Sequence, residues 1–525
     1  MKHTRIACRV LALLVLSMPP HPARAQQPAA RADVVRFAER VDAVLSKNGA
    51  SKAHWGLLVA DADSGEVLYA RNSNQYFLPA SNVKLFTTVM AMATLGPEFR
   101  IRTTIESARG VDRMGRLRGD LVLVGRGDAN LSNRVFPNGE PYTKNNHRDG
   151  PPEKLLAQLA DQVIARGVKQ IDGDVVADDS DFVPARFPSG WTVDDTVWGY
   201  GAAVSAIAVN DNVMTLEVRP GSVRGAPLRT KLEPLSGIYQ VRMEAVTTAA
   251  GSQPELRLSR DPESRVFVVS GSLPLDAPPQ PLVVAVPEPA EHAAALLARL
   301  LRARGVRIRG RARARHASDT TRRGGLTNST LVLAEHISPP LIEDARLTNK
   351  TSQNLHAELM LRVAASEKSG AMTMDDALTF ASEFLQSIGV AQDDVLLRDG
   401  SGLSRNNLVT PQSVVQLLQY ALRQSWGPDF VNTLPLAGED GTLEERMKGT
   451  AASGRVQAKS GSLNHVNGLS GYATTARGGW LIFSMFGNAI GASDDDTRAA
   501  LDMICVAMVE ELGLDPEPPQ QAPSP

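Results

Sequence analysis

The feature that most constrains this chain is a change of texture near residue 99 that reverses near residue 337. Between those points short apolar strands alternate with glycine-rich turns. Examples are Asp120-Leu-Val-Leu-Val124, Asp174-Val-Val-Ala177 and Pro281-Leu-Val-Val-Ala-Val286. Two helical patterns interrupt them, at about 152–166 and 289–304. Outside these limits the pattern is mainly helical. At 525 residues the chain is too long for one hydrophobic core, so two or three domains are expected. The texture predicts an α/β (α+β) protein. Its 99–337 segment is an inserted α/β region forming one or two extra domains.

The flanking segments carry their own signals. His54-Trp-Gly-Leu-Leu-Val-Ala60 and Glu66-Val-Leu-Tyr-Ala70 read as a hairpin around Asp61-Ala-Asp-Ser-Gly65. A helix opens near Ser81 and stops at Gly96-Pro97. Helices are expected after Thr351-Ser-Gln-Asn354, over about 371–387 and over about 411–424. Strands are expected at 454–459, 471–476 and 480–486. A last helix covers about 494–512 with Ser493 as N-cap.

The N-terminus reads as a signal peptide over 1–25. Lys2, Arg5 and Arg9 precede the apolar run Val10–Met18, and Ala23-Arg-Ala25 offers a cleavage site before Gln26. The run is shorter than the roughly 20 residues a spanning helix requires. Cleavage removes Cys8 and leaves Cys505 alone in an apolar helical stretch, where it reads as buried and inert. The expected destination is the periplasm, with no transmembrane segment and at most peripheral membrane or wall association. A formal net charge of −1 gives no reason to expect nucleic acid. The proline-rich tail 514–525 is expected to be disordered.

Three short elements carry chemistry. In Pro79-Ala-Ser-Asn-Val-Lys84, Lys84 lies three residues after Ser81 on the same helix face. A neutral amine there is placed to take the serine proton. Ser352-Gln-Asn354 sets a hydroxyl and an amide just before a helix. Lys459-Ser460-Gly461 ends an apolar strand, where glycine permits close approach of a ligand. Ser-x-x-Lys alone is weak, but this order of three is the signature of penicillin-recognising serine enzymes.

The chain resembles the D-alanyl-D-alanine carboxypeptidase/endopeptidase family of low-molecular-mass penicillin-binding proteins (class C) over about 35–512. The resemblance rests on Leu78-Pro-Ala-Ser-Asn-Val-Lys-Leu85, Gly125-Arg-Gly-Asp128, Asp178-Asp-Ser-Asp-Phe182 and Gly190-Trp191. It rests also on Asn349-Lys-Thr-Ser-Gln-Asn-Leu-His-Ala-Glu358, Asp399-Gly-Ser-Gly-Leu-Ser404, Leu434-Pro-Leu-Ala-Gly438 and Lys459-Ser-Gly-Ser-Leu463. The interval from Ser81 to Ser352 is far longer than a compact β-lactamase would place there. Two departures stand out: Ser460 where the family usually has threonine, and Ala129 where proline often follows the aspartate.

The resemblance implies a transpeptidase-like domain of antiparallel sheet flanked by helices, made from 26–98 and 338–513. Residues 99–337 would then form two nested small domains. It implies Ser81 as nucleophile, Lys84 as general base, Ser352 as proton relay to the leaving amine and Asn354 as a positioning group. Lys459, Ser460, Gly461 and Ser462 would bind substrate, and the N–H groups of Ser81 and Ser462 would form an oxyanion hole. Peptidoglycan peptides are the implied substrates and β-lactams the covalent inhibitors. No metal or cofactor is implied. The alternatives are a serine β-lactamase or esterase of the same fold, and a non-catalytic wall-binding protein.

Several further features read as structural. His356 reads as a packing or supporting residue rather than a base. Arg126-Gly-Asp128 reads as part of a turn, and Asn328-Ser-Thr330 is a glycosylation sequon of little meaning in a bacterial protein. From Arg307 to Arg315 arginine falls on every odd position. On a strand these share one face, read first as solvated and alternatively as a surface for anionic wall polymers.

Overall fold

The computed structural model describes residues 31–47, 49–136, 141–143, 148–317, 330–489 and 494–513. The signal-peptide reading, Cys8, the tail, Ser493 and the first two sequon residues lie outside them.

A five-stranded antiparallel sheet joins the two ends of the chain. Its spatial order is Val67–Arg71, His54–Asp61, Trp480–Asn488, Val466–Thr474, Val456–Leu463. Both faces are covered, so its central strands read as nearly continuous apolar runs. Alternation still sorts them, because successive side chains point to opposite faces. Leu58, Ala60, Ile482 and Phe486 pack on one side with the helices Val83–Leu95, Asn354–Ser369 and Pro411–Leu422. Leu57, Val59, Phe483 and Met485 pack on the other with Ala32–Leu45 and Asp494–Glu511. Buried Cys505 belongs to that second layer, and burial raises its thiol pKa.

The Val83–Leu95 helix explains itself by composition. Every residue from Val83 to Met92 is buried, as befits a helix enclosed on all sides. Gly96 at φ 82° closes it, its N–H returning to the Met92 carbonyl.

Residues 102–337 build two further cores. One surrounds a mixed sheet ordered Ala312–Arg315, Val175–Asp178, Leu121–Val124, Arg102–Ser107, Leu331–Ile337, with helices Lys154–Ala165 and Pro289–Ala303 against it. The other gathers Met214, Leu216, Val218, Phe267 and Val269 from small sheets between residues 213 and 285. It is contained in sequence within the first. The mixed helix-and-sheet architecture expected from the sequence is present.

Several local expectations shift. The Lys459-Ser-Gly element does not end its strand but lies within Val456–Leu463. The strand expected at 471–476 begins earlier and spans Val466–Thr474, because its long antiparallel neighbours pair along that whole length. A helix over Leu341–Thr351 precedes Ser352 and was not anticipated; nor was Ala32–Leu45. The arginine run breaks into Arg307–Ile308 and Ala312–Arg315. Arg307, Arg309 and Arg311 are exposed, as a solvated face would have them, while the other two are paired. Arg313 pairs with Asp174 at 2.6 Å and Asp120 at 3.0 Å, and Arg315 with Asp178 at 2.9 Å. Adjacent parallel strands and the residues just before them supply those acids, so the Arg313 and Arg315 end of the run is neutralised within the sheet.

Candidate active site

Ser81 lies in a single 3-10 turn, Ala80–Asn82, that runs directly into the Val83–Leu95 helix. Ala80 before it adopts φ 48°, an uncommon conformation for a residue with a Cβ. Gly402 fixes that turn from outside. A Cβ on Gly402 would sit 1.9 Å from the Ala80 carbonyl oxygen, so the two loops meet only because position 402 is glycine.

Lys84, one turn on, is completely buried. Its Nζ lies 3.0 Å from Ser81 Oγ, 2.6 Å from Asn354 Oδ1 and 2.6 Å from the Ser401 carbonyl oxygen. Burial pulls its pKa down to about 7, against the opposing influence of Asp399 and Glu358. A neutral amine has two hydrogens and one lone pair. Asn354 Oδ1 and the Ser401 carbonyl only accept, so they take both hydrogens. The lone pair is then left for the Ser81 hydroxyl.

Asn354 opens the Asn354–Ser369 helix, and its Nδ2 donates to the Tyr200 carbonyl at 2.8 Å. Ser352, two residues earlier, ends the Leu341–Thr351 helix in the left-handed region at φ 59°. Lys459 Nζ donates to Ser352 Oγ at 3.0 Å and to the Ser460 carbonyl at 2.7 Å. Burial, with Lys84 and Arg446 nearby, drives the Lys459 pKa well below the ordinary lysine value. Ser460 Oγ donates to Thr442 Oγ1 at 2.7 Å, and Ser462 Oγ to Asn467 Oδ1 at 2.8 Å.

Val456–Leu463 is the edge strand of the five-stranded sheet, and the sheet face that carries Gly461 and Gly468 meets the Ser81 turn. A Cβ on Gly461 would approach Pro79 O at 2.8 Å and Ser81 N at 3.0 Å. Glycine therefore lets the strand lie against the serine. A cleft of about 780 Å³ opens here, lined by Ser81, Ser352, Asn354 and Ser462 together with Asp194 and Arg405. Ser81, Lys84, Ser352, Asn354, Lys459, Ser460, Gly461 and Ser462 thus converge from three separate stretches of chain.

Other contributors carried no assigned role in the sequence reading. Asp399 accepts from Gly402 N at 2.8 Å, Ser404 N at 2.6 Å, Asn407 Nδ2 at 2.8 Å and Trp191 Nε1 at 2.9 Å. It shapes the loop that offers the Ser401 carbonyl and ties Trp191 to it. Glu358 is buried beneath that loop and accepts from Gly400 N at 3.1 Å. Desolvation and the nearby Asp399 raise its pKa to about 8. His356 supports rather than reacts. It bridges Asp344 at 2.5 Å and Asp211 at 3.1 Å, and these carboxylates lift its pKa to about 9 despite burial. The only sequence signal for Asp399, Trp191 and Glu358 was their membership of the resembling segments.

Fold and site define a serine hydrolase with the architecture of a penicillin-binding protein. The chain belongs to the D-Ala-D-Ala carboxypeptidase 3 (S13) family, whose model matches residues 37–508. It is 35% identical over 527 residues to the D-alanyl-D-alanine carboxypeptidase of Actinomadura sp. (strain R39), covering 97% of this chain and 91% of that protein. It is 28% identical over 450 residues to the D-alanyl-D-alanine carboxypeptidase DacB of Haemophilus influenzae, covering 84% and 87%. In structure it is similar to penicillin binding protein 4 from Haemophilus influenzae, with a TM-score of 0.75, 24% identity, and coverage of 90% and 98%. The resemblance read from the motifs is borne out.

Proposed function

We propose that the protein is a D,D-peptidase that works through an acyl-enzyme on Ser81, cleaving D-alanyl bonds in peptidoglycan stem peptides and their D,D-cross-links. The observation that carries this reading is the environment of Lys84. A buried amine with pKa about 7 has two fixed acceptors for its hydrogens and Ser81 Oγ at 3.0 Å from its nitrogen.

In the first step Ser81 Oγ bonds to the carbonyl carbon while its proton moves to Lys84 Nζ. The N–H groups of Ser81 and Ser462 stabilise the oxyanion. The C–N bond then breaks, and Ser352, held by Lys459, relays to the departing amine the proton that Lys84 took, which leaves Lys84 neutral again. Ser460 and Ser462 offer hydroxyls to the carboxylate beside the scissile bond, and Asn354 holds both Lys84 and the substrate flank. Water next attacks the acyl carbon while Lys84 takes its proton; the bond from that carbon to Ser81 Oγ breaks, and Lys84 returns the proton to Ser81. A β-lactam acylates Ser81 by the same first step, but the opened ring stays attached.

Residues 31–98 and 338–513 form the catalytic unit in this reading, with 99–337 as an inserted pair of units. The setting is periplasmic. The basic and apolar N-terminus supports export, and among the described residues no helix is long and apolar enough to cross a membrane.

The test is labelling by a fluorescent penicillin followed by digestion of purified muropeptides. Ser81→Ala is expected to remain folded and take up no label; persistent labelling overturns the assignment. Prompt nitrocefin turnover without muropeptide products would instead support a β-lactamase.

A further inference from the structure

A second cavity, of about 480 Å³, begins where the catalytic cleft ends. Ser352, Asn354 and Tyr200 line both spaces. The far walls come from Arg134, Tyr142 and Arg148 of the inserted region, and from Lys350 and Thr442 of the catalytic unit. The Tyr142 carbonyl accepts from Gly441 N at 2.8 Å, and Thr442 accepts from Ser460 Oγ. The cavity is therefore tied directly to the edge strand that faces Ser81.

Its charge is unbalanced. Arg134 and Arg148 both pair with Asp211, at 2.6 and 2.5 Å, and His356 joins the same carboxylate while also meeting Asp344. Three cationic groups thus share two carboxylates. Lys350 and Asp440 neutralise each other at 2.6 Å, and Arg346 pairs with Glu343. Among the described residues that line the cavity, three are cationic, Arg134, Arg148 and Lys350, and one is a carboxylate, Asp211.

Hydrogen bonding is unbalanced too. Among the described residues neither Arg134 Nη1 nor the buried Tyr142 hydroxyl has a hydrogen-bond partner, and both residues line the cavity. Their side chains are nine-tenths or more buried. An unpaired buried donor is destabilising, so two behind one wall favour an acceptor there. Asn210, Asp211 and Asn212 hold successive left-handed φ angles of 51°, 56° and 53°. Strain of this kind persists where surrounding structure insists on one geometry.

We infer that this cavity is a subsite for the leaving group, and that it binds a carboxylate of the cross-linked stem peptide released from Ser352's side of the scissile bond. The inference rests on the D,D-peptidase reading, in which Ser352 delivers the proton to the departing amine. A departing free D-alanine has its one carboxylate beside the scissile bond and nothing to extend into a further cavity. A departing stem peptide continues past Ser352 and carries additional carboxylates. Those match a lining with three cationic side chains and one carboxylate, backed by two unpaired donors.

The experiment compares three substrates with the full-length protein: a pentapeptide ending in D-Ala-D-Ala, a D,D-cross-linked dimer, and the same dimer with every carboxylate of its leaving stem amidated except the one beside the scissile bond. Wild-type kcat/KM is expected to fall roughly tenfold on amidation, the size of one lost charge-assisted hydrogen bond. Arg148→Gln reaches the cavity but leaves Asp211 its contacts with Arg134 and His356. It is expected to lower the dimer-to-pentapeptide ratio of kcat/KM about tenfold, with no further loss on amidation. Tyr142→Phe, which removes only the hydroxyl, is expected to move the ratio in the same direction. Equal wild-type rates on the two dimers overturn the inference. Absence of pentapeptide hydrolysis and of penicillin acylation in wild type overturns the underlying reading instead.

Discussion

The Asn354 side-chain amide joins two parts of the chain: its Oδ1 accepts from Lys84 Nζ at 2.6 Å while its Nδ2 donates to the Tyr200 carbonyl at 2.8 Å. The inserted region thereby fixes the orientation of a group that touches the base. Asn354→Ala removes one of the two acceptors that occupy Lys84's hydrogens. The acylation rate with fluorescent penicillin is expected to fall by roughly 10²-fold or more, consistent with losing a positioned contact at a reacting group. Retained circular dichroism and melting temperature would assign the loss to positioning.

Lys84 gives the pH dependence its sign. The neutral amine is the active form, and its pKa is about 7. Acylation is expected to level off above that pH and to fall about tenfold per unit well below it. Stopped-flow acylation from pH 5 to pH 9 measures this. A flat acid limb down to pH 5 would remove Lys84 as the base.

Glu358 carries charge mainly on the alkaline side of that limb. With a pKa of about 8 it is largely protonated where Lys84 titrates. Glu358→Gln keeps an acceptor for Gly400 N and copies the neutral carboxyl. The acid limb is expected to stay near pH 7 in the same stopped-flow series; a clear move to lower pH would show that Glu358 is ionised beside Lys84.

His356 makes a stability prediction. Its folded pKa of about 9 lies above the ordinary histidine value of 6.5. The ionised histidine therefore stabilises the fold fully below about pH 6.5. That contribution is lost as pH rises toward 9. His356→Gln is expected to lower stability by about 3 kcal/mol at pH 6, since it strips a buried partner from Asp211 and Asp344. The gap from wild type should narrow by pH 9 in urea titrations.

Gly402 tests the packing of the nucleophile turn. A methyl at 402 meets the Ala80 carbonyl at an impossible 1.9 Å. Gly402→Ala is expected to reduce acylation strongly while leaving the remote core of residues 102–337 folded. Near-wild-type acylation would show that the two loops separate easily.

The sequence alone settled matters that depend on local spacing. Ser81 and Lys84 share a helix face because three residues make nearly one turn, and that relation needs no other part of the chain. The hairpin around Asp61–Gly65, the glycine stop at Gly96 and the burial of Cys505 were legible for the same reason. Tertiary structure decided whether Lys84 can act as a base at all. The groups that strip its water and take its hydrogens lie 270 residues away at Asn354 and 317 away at Ser401. No local period reports such a distance, because desolvation depends on everything packed around a group. The second cavity was equally silent in sequence, since Arg134, Asp211, His356 and Lys350 become neighbours only after the inserted region folds against the catalytic sheet.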